Sequence, residues 1–543
     1  MKLLYLLVLV QVLAVQEAVR SRPNIIFILA DDLGWNDVGF HGSNQIPTPN
    51  IDSLAFSGTI LNNYYSQPLC SPSRSALMTG NHPIHTGMQR YVINAPEPWG
   101  LPLEEKLLPE YLRDLGYINR AVGKWHLGFF KKEYTPLYRG FHSHFGYWLG
   151  HKDYYSHLAG EGGYQGYDFR RNMESTWTVF GDYTTDLFTE EAEEIILSHD
   201  TDFPLFLYIA HLATHAPLQA PYKVVKSFTH IEDKKRRIFA GMVTKMDESV
   251  GRVVAALDRK GILNNSIIVF TSDNGGATHG YDGNVASNWP LRGGKDTLWE
   301  GGVRVPAVIW SPLLAKAPAI HEGLMSVMDW LPTLITAVNG TFINKCCVDG
   351  YNQWEAINQE KRPPYHHLLH NIDSRRYAMR NGHWKIISGT SYNERFDGWY
   401  GKLSSDQQYD MYAIVNSQVT DAVKHTTRPL PDKNHIIGTR NYALTRCAGT
   451  DKTSPPCRLK ISPCLFNITA DPCEQNNLAD QHPQILKKLL KLLHLYHPVE
   501  PRNKGPDAAS RPVYWNYTWT HWKDYPPPRL LDSNYEYIDY TLN

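Results

Sequence analysis

Two continuous apolar runs that end in acidic or amide residues constrain the fold of this chain most. The runs span residues 24–30 and 267–271. Four oxygen-donating side chains follow them: Asp31, Asp32, Asp273 and Asn274. Uninterrupted apolar runs of this length are typical of strands that are buried on both faces of a mainly parallel sheet. The sequence therefore predicts an α/β fold.

The four side chains also predict a metal site. In open α/β sheets, ligands bind outside the carboxyl ends of the strands, so we expect the two strand ends to meet there. Carboxylate and amide oxygens favour a hard cation, and Ca²⁺ tolerates irregular geometry better than Mg²⁺ does. We therefore expect Ca²⁺ rather than Mg²⁺. Taken alone, Asp31-Asp32 is more often a turn or a helix cap than a metal site, and Asp273-Asn274 with the glycines that follow is more often a turn.

A cysteine lies where a helix is predicted to begin. Residues 70–74 read Cys-Ser-Pro-Ser-Arg, and helix-forming residues follow. This pattern places Cys70 near a helix N-terminus, where free backbone N–H groups favour negative charge. Arg74 adds a fixed positive charge one turn away. A lone cysteine in such a place is usually a buried thiol or half of a disulfide.

Residues 70–74 with the Leu-x-Thr-Gly of 77–80, and the Gly-Lys-Trp-His-Leu-Gly of 123–128, resemble the two signatures of the sulfatases. In that family a formylglycine-generating enzyme oxidises the cysteine, and the hydrated aldehyde attacks sulfur. The resemblance implies an alkaline-phosphatase-like fold: a large mixed β-sheet flanked by helices, then a smaller C-terminal antiparallel α+β domain. This chain departs from the family at Asn81, where Arg or Lys is usual.

The resemblance also implies roles for individual residues of this chain. The implied metal ligands are Asp31, Asp32, Cys70, Asp273 and Asn274. Lys124 and Lys295 would bind the sulfate group, and Arg74 would hold the formylglycine derived from Cys70. His215 would protonate the leaving alcohol, and His126 would act as the base. In an extended segment, residues 124 and 126 point to the same side, so both would face one anion.

The substrate follows less directly. The strings at residues 30–38, 84–89, 153–157 and 369–373 resemble the arylsulfatase B group of the family. This implies hydrolysis of a sulfated glycosaminoglycan sugar such as N-acetylgalactosamine 4-sulfate, or of an aryl or small-molecule sulfate. One alternative is a non-catalytic glycan-binding homologue. Another is a phosphate or phosphonate ester hydrolase on the same fold, although phosphatases of this superfamily use Ser or Thr in place of the cysteine.

The first residues predict entry into the secretory pathway. After Lys2, an apolar run from Leu3 to Val15 is typical of a signal peptide, which we place at residues 1–18. The run is too short to span a membrane. Four Asn-x-Ser/Thr acceptors support the same route: Asn264, Asn339, Asn467 and Asn516. We expect a lysosomal or extracellular protein.

Six cysteines remain besides Cys70, and six allow 15 connectivities. The short span between Cys464 and Cys473 suggests that these two pair. The turn-rich stretch after Asn339 marks a domain boundary. We assign residues 22–345 to the catalytic domain and 346–543 to a C-terminal subdomain with an aromatic-rich tail.

The overall charge excludes one class of partner. The chain has 54 basic and 54 acidic residues, which argues against a nucleic-acid-binding protein. The one dense basic run, residues 234–237, is interpreted as a solvated helix face. The alternative is a contact for a sulfated chain. The sequence does not indicate an oligomeric state.

Overall fold

The computed structural model of the protein describes most of the chain. The described residues are 22–161, 163–280, 282–340, 348–359, 361–402, 407–447, 449 and 455–526. The predicted signal peptide and the adjacent cysteines Cys346 and Cys347 lie outside them. None of the helices in these ranges is long and apolar enough to cross a membrane.

A ten-stranded mixed sheet forms the centre of the molecule. Its strand order is β13-β2-β12-β11-β1-β10-β4-β5-β8-β9. The five central strands β11, β1, β10, β4 and β5 are parallel, and antiparallel strands flank them on both sides. The predicted α/β fold with a large mixed sheet is confirmed. The strands are β1 (Asn24–Ala30), β2 (Thr59–Leu61), β3 (Tyr64–Tyr65), β4 (Ile118–Lys124), β5 (Ser143–Tyr147), β6 (Leu158–Glu161), β7 (Tyr164–Tyr167), β8 (Arg170–Arg171), β9 (Glu174–Ser175), β10 (Leu205–Ala210), β11 (Ser266–Ser272), β12 (Ala307–Trp310), β13 (Ala319–His321), β14 (Met325–Ser326), β15 (His367–Ile372), β16 (Tyr377–Asn381), β17 (Trp384–Ser388) and β18 (Cys464–Asn467).

Helices cover both faces of this sheet. Successive side chains of β1 point to opposite faces, so Phe27 packs in one core and Ile28 in the other. This explains why the run is apolar throughout. The α-helices are Pro49–Ser57, Cys70–Thr79, Pro83–Thr86, Leu108–Asp114, Thr184–Ser198, Tyr222–Val225, Lys234–Lys260, Glu300–Val303, Trp330–Ala337, Trp354–Gln359, Met411–Val415, Gln418–Val423, Lys433–Ala443 and Pro483–Leu493.

The C-terminal half adds a second, smaller sheet. Its four strands, β15 to β18, are antiparallel and adjacent in sequence order. The helix Pro483–Leu493 packs its leucines against this sheet, together with Ile84 from the first half. The aromatic tail returns to the large domain, where Trp519 and Trp522 are buried edge-on against Phe129.

The predicted pairing of Cys464 with Cys473 is wrong. The disulfides join Cys447 to Cys473 and Cys457 to Cys464. After β18 the chain turns back so that the N–H of Leu478 donates to the carbonyl of Leu465 at 2.8 Å. The returning segment therefore brings residue 478, not Cys473, beside β18.

The interpretation of residues 234–237 as a solvated face is correct only in part. Lys234 and Lys235 are exposed at the start of their helix. Arg236 is buried, and its guanidinium lies 2.6 Å from the carboxylate of Asp37. One residue of the run therefore pairs with an acid from the other end of the chain.

Candidate active site

The two predicted strand ends meet as expected. β1 and β11 are parallel neighbours, and their register pairs Ala30 with Ser272. The next residues of each strand therefore lie side by side. The backbone N–H of Asp32 donates to Asp273 at 3.3 Å, and the side-chain amide of Asn274 donates to Asp32 at 2.6 Å.

Cys70 is the first residue of the helix Cys70–Thr79, as the sequence predicts. It is buried, and it is the free cysteine among those described. Its Sγ lies 3.6 Å from a carboxylate oxygen of Asp31. Burial and the charge of Asp273 raise the pKa of Cys70 well above its usual value, although Lys124 opposes them. The thiol is therefore neutral in this setting.

Arg74 lies one turn further along the same helix and is fully buried. Its Nη2 and Nε lie 2.8 and 3.1 Å from Oδ2 of Asp273, which is the geometry of a buried ion pair. Its Nη1 donates to the backbone carbonyl of Lys124 at 3.3 Å. The guanidinium of Arg74 thus connects the helix that begins at Cys70 with the ends of β11 and β4.

Two lysines approach the carboxylates from different elements. Lys124 ends β4, and its Nζ lies 2.6 Å from Asp31. Lys295 comes from a loop, and its Nζ lies 2.9 Å from Asp32. Burial alone would lower the pKa of Lys295, but Asp32 and its neighbours raise it well above the usual value. Lys295 is therefore cationic, and the two lysines contact neighbouring acids, Asp31 and Asp32.

His126 does not lie in an extended segment, contrary to the expectation from its spacing. Its φ of 60° places it in the left-handed region just after β4. Its Nε2 lies 3.0 Å from the carbonyl of Ile93, and since a carbonyl only accepts, Nε2 carries the proton. Nδ1 is buried with no partner among the described residues. Burial, with Lys124 and Arg74, lowers the pKa of His126 well below its usual value, so Nδ1 is a free acceptor.

His215 lies beside Lys295 and Asp32. Its Nδ1 lies 2.6 Å from the carbonyl of Ala216, which assigns the proton to Nδ1. Its Nε2 lies 3.1 Å from Nζ of Lys295 and 3.6 Å from Asp32. His211, four residues earlier in the chain, is buried, and its Nε2 lies 3.2 Å from Oγ of Ser249.

The chemistry of the donor set fits a divalent cation. Ligand atoms of Asp31, Asp32, Cys70 and His215 all lie within 4.8 Å of one another. Beside them, Oδ1 of Asn274 is buried and has no hydrogen-bond partner among the described residues. An unsatisfied amide oxygen among buried carboxylates is the arrangement that a hard cation completes.

Three residues of this site were not predicted from the sequence. Asp282 lies 3.0 Å from Nζ of Lys295, and the ring of His151 stacks on His215 at 5.6 Å between centroids. Asn284 is buried and donates to the backbone carbonyl of Asp32 at 3.0 Å. All three come from loops, where neither periodicity nor spacing marks a position. The only signal is that each loop follows a strand end of the central sheet.

Comparison with known proteins identifies the family. The sequence model of the Sulfatase family matches residues 23–341, which is more than half of the chain. This chain belongs to the sulfatase family. The match covers the strand ends, the helix of Cys70, both histidines and both lysines, whereas the string at residues 369–373 lies outside it.

Curated relatives agree over most of the chain. Arylsulfatase J of Mus musculus is 39% identical over 510 residues, which is 92% of this chain and 80% of that protein. N-acetylgalactosamine-6-sulfatase of Homo sapiens is 36% identical over 348 residues, which is 61% of this chain and 65% of that protein. The protein is therefore a hydrolase of sulfuric esters.

Solved structures support the fold. The crystal structure of Ps i-CgsB has a TM-score of 0.69 and 27% identity, and the match covers 89% of this chain and 94% of that chain. A phosphonate monoester hydrolase of Agrobacterium radiobacter has a TM-score of 0.55 at 17% identity. This second likeness shows the shared fold and nothing about the reaction.

Proposed function

We propose that this sulfatase is a formylglycine-dependent, Ca²⁺-binding enzyme that acts on sulfated sugars. The observation that carries the proposal is the position of Cys70 at a helix N-terminus, 3.6 Å from Asp31 and enclosed by cationic side chains. A formylglycine-generating enzyme would convert it during maturation. The hydrated aldehyde supplies a nucleophilic hydroxyl together with a second hydroxyl whose deprotonation releases the sulfate.

The metal would be held by Asp31, Asp32, Asp273, Asn274 and residue 70. Bound there, Ca²⁺ supplies positive charge that lowers the pKa of a hydroxyl and attracts sulfuryl oxygens. Asn274 supports this assignment because its buried Oδ1 lacks any other described partner. The side chain of Asp273 contributes in a second way, since it neutralises the buried Arg74.

Two lysines would bind the sulfate group, and two histidines would transfer protons. Lys124 contacts Asp31 and Lys295 contacts the adjacent Asp32, which suits two cations that bind one sulfate group. Preorganised charges of this kind are usually the largest catalytic contribution. His126 would accept a proton at Nδ1, the nitrogen without a described partner. His215 would donate a proton to the leaving alcohol once Nε2 is protonated.

The proposal that the substrate is a sulfated sugar is based on similar proteins. Two proteins bear on it: the 36% identical N-acetylgalactosamine-6-sulfatase, and the 27% identical Ps i-CgsB, which has been crystallised in complex with k-i-k-neocarrahexaose. We propose a sulfated N-acetylgalactosamine, with the 4-sulfate as the first substrate to test. The name of arylsulfatase J keeps aryl sulfates as the second candidate.

The biological setting is part of the same proposal. A signal peptide at residues 1–18 would direct the protein to the lysosome or the extracellular space. Three of the four predicted glycan acceptors, Asn264, Asn339 and Asn516, are exposed, and Asn467 is half-buried in β18. We also propose a catalytic domain at residues 22–345 and a C-terminal subdomain at 346–543.

The proposal is tested by measuring sulfate release. Protein from a eukaryotic secretory host would be assayed on N-acetylgalactosamine 4-sulfate and 6-sulfate disaccharides and on 4-nitrophenyl sulfate. We expect turnover of a sulfated disaccharide, loss of turnover on chelation, and recovery with Ca²⁺. Cys70→Ala should be inactive. Undiminished turnover by Cys70→Ala would contradict the proposal, as would turnover of aryl sulfate alone.

A further inference from the structure

A loop of the C-terminal half lies against the segment that carries Lys295. We call residues 390–400 the rim loop. The Oγ of Ser391 donates to the backbone carbonyl of Asp296 at 2.6 Å. The backbone N–H of Gly293 donates to the carbonyl of Gly398 at 2.8 Å. The rim loop is therefore attached on both sides of Lys295.

Three rings form a continuous surface on this loop and its neighbour. The ring of Tyr392 meets Phe396 edge-on, with 4.9 Å between centroids and an angle of 73°. Phe396 in turn stacks on His279, at 5.9 Å and 30°. Tyr392 is 56% exposed, and His279 is exposed as well. We call these three residues the aromatic platform.

The attachment of the rim loop places the platform near Lys295, because Ser391, which precedes Tyr392, is hydrogen-bonded to Asp296, which follows Lys295. Burial of its phenol, with the carboxylates of Asp296 and Asp282, raises the pKa of Tyr392, and Lys295 opposes them. Asp282 and Lys295 are in direct contact at 3.0 Å. The platform therefore lies close to the lysine that we assign to the sulfate group.

The backbone of the rim loop supports a role in binding. Tyr392, Asn393 and Glu394 are consecutive non-glycine residues with φ values of 51°, 59° and 69°. Such left-handed conformations are costly, and they cluster at ligand sites. Thr390 holds the turn, because its Oγ1 accepts from the N–H of Glu394 at 2.9 Å and donates to Asp397 at 2.8 Å. The turn leaves the ring of Tyr392 exposed.

We propose that the aromatic platform binds the sugar ring that carries the sulfate ester. A sugar has an apolar C–H face and a hydroxyl edge, and here aromatic rings lie beside the carboxylates of Asp282 and Asp296. The rings would pack on the C–H face, and the carboxylates would accept from the hydroxyls. The inference rests on the proposed sugar substrate, and it makes Tyr392 and Phe396 determinants of specificity.

The test compares binding of the sugar with binding of sulfate alone. Tyr392→Ala and Phe396→Ala would be assayed on the sulfated disaccharide that the wild type hydrolyses, with inorganic sulfate as a competitive inhibitor. We expect KM for the disaccharide to rise about tenfold, as loss of an aromatic contact predicts. The Ki of inorganic sulfate should stay within about twofold, since sulfate has no ring to stack. Tyr392→Phe should resemble the wild type. Tyr412→Ala, at a 78% exposed tyrosine on another helix, is the matched control.

Three results would overturn the inference. An unchanged KM in both alanine variants would show that the aromatic platform does not bind the substrate. A parallel rise of KM and of the sulfate Ki would show that the substitution displaces Lys295. An equal loss in Tyr392→Phe would assign the effect to the hydroxyl. A wild type that hydrolyses aryl sulfate but no sulfated sugar would instead refute the proposed substrate, and the sugar platform with it.

Discussion

Asp31 and Asp273 hold their positions through the central sheet, whereas the loop that carries Lys295 is also held by contacts with the C-terminal half. The carboxylates follow β1 and β11, whose backbones are joined along seven paired residues. Lys295 lies in a loop, and its neighbour Asp296 is bound by Arg376 at 2.8 Å. We call these the strand-end half and the loop half of the site.

A buried ion cluster strengthens the loop half. Nζ of Lys385 on β17 lies 2.9 Å from Glu300 and 2.8 Å from Glu474, and the side chain of Glu474 accepts from the backbone N–H of Glu300 at 2.7 Å. Glu300 begins the helix that follows the Lys295 loop. The difference teaches that the small sheet and its loops help to hold the segment that carries Lys295, which we propose binds the sulfate group.

Among the tests of the strand-end half, Asp273→Asn is expected to have the largest effect. The substitution removes a proposed metal ligand and takes from the buried Arg74 its nearest charge partner, leaving Asp31 at 3.7 Å. We expect kcat/KM for sulfate release to fall at least about 1000-fold. We also expect a loss of about 3–5 kcal/mol of stability, measured by thermal or denaturant unfolding. Asp114→Asn, at an exposed acid, should change neither quantity. Activity within tenfold of the wild type would contradict the assignment.

Lys295→Ala tests the loop half directly. The substitution removes one cation of the proposed sulfate clamp but leaves the sheet intact. We expect kcat/KM to fall about 100-fold with a small change in the unfolding temperature. Steady-state kinetics and calorimetry on the same preparation would separate the two effects. A change of less than threefold in kcat/KM would show that Lys295 does not bind the sulfate group of the substrate.

Arg376→Leu tests whether the C-terminal half positions Lys295. The variant loses the ion pair with Asp296 and the hydrogen bond to Ser391, but Arg376 contacts neither a proposed metal ligand nor Lys295. We expect kcat/KM to fall about tenfold, because misplacement of a charged group weakens its contribution. Arg375→Leu removes an exposed arginine from the adjacent position and serves as the matched control. Equal activity of the two variants would show that the ion pair between Arg376 and Asp296 does not contribute to catalysis.

The smallest expected effect on activity concerns a carboxyl outside both halves. Asp247 is buried and accepts from the backbone of Asn50 and Ile51, and burial raises its pKa from 3.8 to about 7. The folded state thus keeps a proton that the unfolded state loses near pH 4. Stability from this group is full below pH 4 and declines as the pH rises through 7.

Asp247→Asn should remove that dependence. Between pH 4 and pH 7.5 we expect the wild type to lose about 2–4 kcal/mol more than the variant, in unfolding experiments at both pH values. Identical pH profiles would show that this acid is ionised in the folded protein. With either result, the activity of the folded protein should depend on the two halves of the site and not on Asp247.

The sequence is informative where the backbone pattern determines the position of a side chain. Buried strands are recognisable as apolar runs, and the residue after a parallel strand must lie at the carboxyl edge of the sheet. Asp31 and Asp273 were therefore predictable as neighbours. Cys70 was predictable at a helix start because Pro72 fits the first turn.

The sequence is less informative where a contact depends on how loops return. Asp282 and His151 reach the site from loops whose paths no local pattern determines. The pairing of Cys464 was predicted wrongly because closeness in sequence does not give the register of the returning segment. Arg236 was expected in solvent because its partner, Asp37, lies about two hundred residues away in the chain.

The mass of the peptide that contains residue 70 tests the central claim most directly. The protein would be made in a eukaryotic secretory host that is shown to mature another sulfatase, then alkylated at its thiols and digested. The account predicts the mass of an aldehyde or its hydrate at position 70, with no alkylation there. An alkylated cysteine in protein that still releases sulfate would contradict the formylglycine mechanism.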